Sequence, residues 1–154
     1  MRDRSLILAT ACLASFVFSA TSDGALIAHW RGEGNTSDSS GNGHNGVANN
    51  GVAYSSGLIG QAFSFDGVDD YVSVADPSTD LQPTSFSIAM WIKAEPVPNT
   101  SLRLLADSSH GGPSNAKGWA LQLNTRRPSF AIGNGSLFPE ITGDTTVADG
   151  EYHH

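Results

Sequence analysis

The sequence predicts an all-β protein, an antiparallel jelly-roll-like sandwich, on three observations. No stretch after residue 20 keeps a 3.6-residue apolar period. Short runs rich in β-branched, aromatic or alternating apolar residues recur instead. Gly, Asn, Ser, Asp and Pro separate these runs at close spacing. Many short strands joined by tight turns build a sandwich or barrel and leave no room for a helical layer. A length of 154 residues bounds the chain to one domain of ordinary size.

The N-terminus reads differently from the rest. Arg2 and Arg4 precede an apolar run from Leu6 to Phe18, and Val17 and Ser19 stand at positions −3 and −1 of a cut after Ser19. A cut after Ala20 is the neighbouring choice. Residues 1–19 are therefore expected to be a secretory signal peptide, followed by a sandwich domain over residues 25–154. The apolar run is shorter than the ~20 residues that span a bilayer, so no membrane span is expected in the mature chain. Cys12 is the only cysteine and falls inside the leader. Export permits disulfides, but the mature chain has no cysteine to form one.

Charge narrows the partners. The whole chain carries −7, and removal of the leader leaves six basic against fourteen acidic residues, a net charge of −8. Phosphate backbones are recognised by clustered Lys and Arg, which are scattered here, so nucleic acid is excluded as a partner.

The strand-like runs are Ala25–Trp30, Gly46–Tyr54, Gln61–Phe65, Tyr71–Val74, Ser85–Lys93, Leu102–Ala106, Gly118–Leu123, Pro128–Gly133 and Thr145–Val147, with a further start at Tyr152–His154. The clearest is Ser85–Lys93. Phe86, Ile88, Met90 and Ile92 fall on one face, with Ser87, Ala89 and Trp91 on the other, which predicts a central strand covered on both sides. Phe63 and Phe65 alternate inward in the same manner. Trp30 and Trp91 lie inside apolar runs and are expected in the core.

Two groups of residues suggest chemistry. Asp38-Ser39-Ser40-Gly41-Asn42-Gly43-His44-Asn45-Gly46 makes an irregular loop rich in short oxygen side chains and free carbonyls. Calcium takes six to eight such oxygens, at roughly 2.3–2.6 Å, so Asp38, Asn42 and His44 are the candidate metal ligands; an ordinary Asx- and Gly-rich turn is the competing reading. Trp119 borders the polar loop Ser108–Asn115, and aromatic rings serve as platforms for sugars as well as core fillers. Trp119, His110 and Asn124 form the candidate ligand-binding set. Asp69 and Asp70 look like a carboxylate pair, but strand neighbours diverge, and Asp66-Gly67 marks a turn.

In order, Ala28-His29-Trp30, the Asp38–Gly46 loop, Gly60–Val72, Phe86–Trp91 and Asp149–His154 resemble the laminin-G-like domains of the concanavalin A-like lectin/glucanase superfamily. The resemblance implies two antiparallel sheets packed face to face. It also implies further strands after the His-His pair, so the domain is expected to be incomplete at its C-terminus. In some relatives calcium sits at the Gly-Asn-Gly loop, which implies roles for Asp38 and Asn42. The glucanases of this superfamily carry Glu-x-Asp motifs. None of Glu33, Glu95, Glu140 and Glu151 has Asp two positions later.

The expected function is thus a secreted, extracellular or cell-surface, non-catalytic binding module for glycans or extracellular proteins, with calcium as its cofactor. A structural or adhesive part of a larger surface protein, or a non-functional fragment, is the alternative, and a glycoside hydrolase is the least favoured.

Overall fold

A computed structural model describes residues 5–8, 12–20, 25–96, 101–107, 117–134 and 136–154. Among them are thirteen strands and no helix, paired antiparallel throughout in two sheets. The first sheet runs, edge to edge, β12 (Glu140–Thr142), β11 (Arg127–Asn134), β10 (Lys117–Asn124), β9 (Ser101–Asp107), β1 (Ser5–Leu8), β7 (Tyr71–Ala75) and β4 (Gly46–Asn49). The second runs β13 (Tyr152–His153), β8 (Phe86–Lys93), β2 (Cys12–Ala20), β6 (Gln61–Ser64) and β5 (Ala53–Ser56), with β3 (Ala25–Trp30) also paired to β2. The all-β antiparallel architecture agrees with the sequence.

Alternation explains which side of each strand is buried. In β7, Val72 and Val74 face inward while Tyr71 and Ser73 are half-buried on the other side. In β8, Met90 and Ile92 are buried, and Phe86 and Ile88 pack partly against the same core. Its opposite face is not covered as expected: Ser87 and Ala89 are exposed and Trp91 is half-buried against the His154 ring. The core joins the inner faces of both sheets through Trp30, Phe63, Val72, Val74, Leu104, Leu105, Trp119 and Leu123. Trp30 is a core residue as expected; Trp91 is not.

Three runs change form. Gly46–Tyr54 divides into β4 and β5, which belong to different sheets. The break falls at Asn50 and Gly51, both with positive φ (61° and 115°), where the chain crosses from one layer to the other. Thr145–Val147 forms no strand, because the Val147 N–H donates to the Arg126 carbonyl rather than to a ladder. A short strand at Glu140–Thr142 takes the edge position beside β11 instead.

The segment read as a leader also contributes β1 and β2. β1 lies between β9 and β7, and β2 lies between β8 on one side and β3 and β6 on the other. Removal of residues 1–19 would therefore vacate one strand position in each sheet.

Gly32 anchors the exit from β3. Its φ is +71°, and a Cβ there would stand 2.9 Å from the Phe63 backbone nitrogen. Only glycine lets the chain pass that close to β6.

Candidate functional site

The Asp38–Gly46 loop is built around one carboxylate. Asp38 Oδ1 accepts the His29 and Ser40 N–H groups at 2.9 and 2.8 Å. Oδ2 accepts the Ser40 hydroxyl at 2.7 Å and the His44 N–H at 3.0 Å. Burial pushes the Asp38 carboxyl up, but the donors from His29, Ser40 and His44 outweigh it and hold the group below its ordinary value. The rest of the loop turns the same way, towards β3. Asn42 Nδ2 donates to the Leu26 and Ile27 carbonyls at 2.9 and 2.8 Å, and the Ser40 hydroxyl to Ile27 at 3.0 Å. Trp30 Nε1 donates to the His44 carbonyl at 2.6 Å.

His44 itself is buried, with Nε2 4.0 Å from Asp80 Oδ2. Asp76 lies beneath the same region. Its Oδ2 accepts the Leu81 N–H at 3.2 Å, and its buried Oδ1 has no partner among the described residues. Burial raises the Asp76 carboxyl; the Leu81 N–H and nearby His44 oppose that shift without cancelling it.

Calcium takes several converging oxygens. In this loop both Asp38 oxygens accept from protein donors, His44 is buried, and Asn42 donates through Nδ2 to carbonyls of β3, bonds that do not engage Oδ1, the atom a cation would use. These hydrogen bonds are those of an Asx-rich turn that satisfies its own backbone.

A different acidic group does converge. One carboxylate oxygen each from Asp66, Asp69 and Asp70 lies within 4.8 Å of the others. The sequence argument for divergence assumed a strand, whereas residues 66–70 form an irregular turn before β7. Asp66 Oδ1 accepts the Val68 N–H at 2.8 Å, and Asp70 Oδ2 accepts the Asp66 N–H at 3.1 Å. Those bonds account for the turn.

The predicted ligand-binding residues separate. His110 lies outside the described residues. Trp119 is 3% exposed and packs between Phe86 and Phe130, with ring centroids 5.2 and 6.5 Å away. Its ring has no open face for a sugar, so Trp119 is a core residue; alternation places it inward with Leu121 and Leu123. Asn124 faces the other way. Its Nδ2 donates to Glu140 Oε1 at 2.9 Å. The same oxygen accepts the Ser129 hydroxyl and, at 3.4 Å, that of Thr142. The Ser129 hydroxyl first, then Asn124, hold the exposed Glu140 carboxyl below its ordinary value against a smaller effect of burial. Ala120, Ala131 and Ser129 form a floor of small buried side chains on this face, opposite the core. The sequence reading singles out Asn124 and not Glu140, whose strand it does not recognise.

A family profile described as the concanavalin A-like lectin/glucanases superfamily, of laminin-G type, matches residues 66–154. The chain belongs to that superfamily. The matched region covers β7 to β13, and with them the whole Asn124–Glu140 group. No curated protein and no solved structure matches the chain.

The Asp38 geometry gives a prediction with two arms. Asp38→Asn is expected to cost about 1–3 kcal/mol, because N–H donors are left without their acceptor, and to lower Tm equally in 1 mM calcium and in EDTA. A loss confined to calcium-containing buffer would reinstate the metal. The pH dependence follows from the sign of the shift. A carboxyl held low in the folded state stabilises above its ordinary 3.8, and that stability is lost as pH falls through the lower folded value. The slope of unfolding free energy against pH in that acid range is expected to be shallower in Asp38→Asn.

Proposed function

We propose that this protein is a secreted, non-catalytic binding module that takes glycans or extracellular proteins. The observation that carries the reading is the polar face on β10, β11 and β12. Asn124, Ser129, Glu140 and Thr142 there surround one ionised carboxylate above a floor of small side chains. Such a face offers both acceptors and donors to ligand hydroxyls. Membership of the superfamily is compatible with binding or catalysis, since fold alone does not assign chemistry. Calcium at the Asp38–Gly46 loop is not part of the proposal, which rests on the face of β10, β11 and β12.

Secretion rests on the leader pattern of residues 1–19. Intact-mass analysis of exported protein is expected to find a chain beginning at Ala20 or Thr21. Recovery of exported material that keeps Met1 would make the segment a retained part of the fold, contributing β1 and β2.

The binding reading is tested on an immobilised glycan array together with a panel of extracellular matrix proteins. Selective binding is expected, weakened about tenfold by Asn124→Ala, the loss that corresponds to one or two hydrogen bonds. No binding above that of an unrelated β-sandwich would contradict it, as would release of reducing sugar from β-glucan.

A further inference from the structure

Three Asn-x-Ser/Thr triplets occur in the sequence, Asn35-Thr36-Ser37, Asn99-Thr100-Ser101 and Asn134-Gly135-Ser136. Such a triplet is the acceptor pattern for N-linked glycans in exported proteins. The fold separates the three. Asn99 lies outside the described residues. Asn134 ends β11, where its backbone is paired with Lys117 of β10. Asn35 stands in the loop between β3 and β4, where Glu33, Gly34, Asn35 and Ser37 are all exposed.

That loop holds Asn35 in a bend rather than a ladder. The Ser37 N–H donates to Asn35 Oδ1 at 2.9 Å, which closes an Asx-turn across the triplet. Asn35 Nδ2 donates to the Glu33 carbonyl at 3.1 Å, and its second N–H is used by no described hydrogen bond. Both flanks are anchored. Glu33 Oε2 accepts the Gln61 N–H at 3.2 Å, and Thr36 exchanges two hydrogen bonds with Gly46, at 2.7 and 2.8 Å. None of these partners belongs to residues 1–19, so removal of the leader leaves every one of them in the chain. Glu33 also places a carboxylate two positions before the acceptor, where Asn99 and Asn134 have Val97 and Ile132.

We infer that Asn35 is an N-glycosylation site, which takes an oligosaccharide from a polyprenyl-diphosphate donor through a transferase of the export route. Its side-chain nitrogen attacks the anomeric carbon of the sugar. The new C–N bond replaces the C–O bond to the diphosphate, which leaves with that electron pair, and the amide gives one proton to a carboxylate of the transferase. No oxidation or reduction is involved. The Ser37 hydroxyl is the group the transferase reads two residues on. An exposed bend enters a transferase cleft without unfolding, whereas Asn134 has to leave the β10–β11 ladder first. Transferases that read the triplet alone and those that also demand an acidic residue at −2 both find their signal at Asn35.

This inference rests on the reading of the chain as exported, and the test keeps the two apart. The full chain, folded and purified, is incubated with one transferase of each kind and a polyprenyl-diphosphate oligosaccharide, then mapped by glycopeptide mass analysis. Modification of Asn35 by both enzymes is expected, with Asn134 unmodified in the folded protein. Asn35→Gln and Ser37→Ala are expected to abolish it, while Ser37→Thr keeps it. Ser37→Ala retains the backbone N–H that closes the turn, so its effect reads the hydroxyl and not the fold. Glu33→Gln retains an acceptor for the Gln61 N–H. It is expected to slow the acid-requiring transferase about tenfold, the scale of one hydrogen bond to a charged group, and to leave the other unchanged. An unmodified Asn35 with both transferases overturns the inference, as does modification of Asn134 in its place. Modification of the purified chain, together with failure of cells to export it, supports the site and removes the secretion reading.

Discussion

The architecture depends on how the outer edge of β3 is closed. A strand at the margin of a sheet presents unpaired N–H and C=O groups, and here a loop rather than another strand receives them. Asp38 accepts the His29 N–H, the Ser39 N–H donates to the His29 carbonyl, and Asn42 and Ser40 donate to the carbonyls of Leu26 and Ile27. One carboxylate with four donors organises that cap. Trp30, the largest side chain of β3 and fully buried, is tied to the same loop through His44. Core and cap therefore form together, and the glycines and Asx residues of the loop serve a folded edge.

The β3 edge is sealed by side chains of the loop. A surface cluster on the first sheet, centred on Glu140, adds a polar face of different character.

The fold class was legible because β-sandwich burial has a period of two. Phe86, Ile88, Met90 and Ile92 announce an inner face, and Val72 and Val74 do the same in β7. Legibility failed where neighbours decide the outcome. Gly46–Tyr54 reads as one run although Asn50-Gly51 is a turn signal; what nothing local says is that this turn carries the chain between sheets. Val147 is apolar and buried but spends its N–H on Arg126. Trp119 sits next to polar residues in sequence and between Phe86 and Phe130 in space. The turn at Asp66-Gly67 was legible, but the convergence of its carboxylates was not: strand geometry separates Asp69 from Asp70, and the turn brings them together with Asp66. Asn124 could be named from sequence, whereas its partner Glu140 becomes visible only through the pairing of β11 with β12.

The most direct test of this account is residue-resolved amide hydrogen exchange on the folded chain. A β3 edge sealed by the Asp38 loop requires protection at the amide that Asp38 receives. The account predicts slow exchange at His29, whose N–H is bound by Asp38, and faster exchange there in Asp38→Asn. Fast exchange at His29 in the unaltered protein, or unchanged slow exchange in the variant, would contradict it.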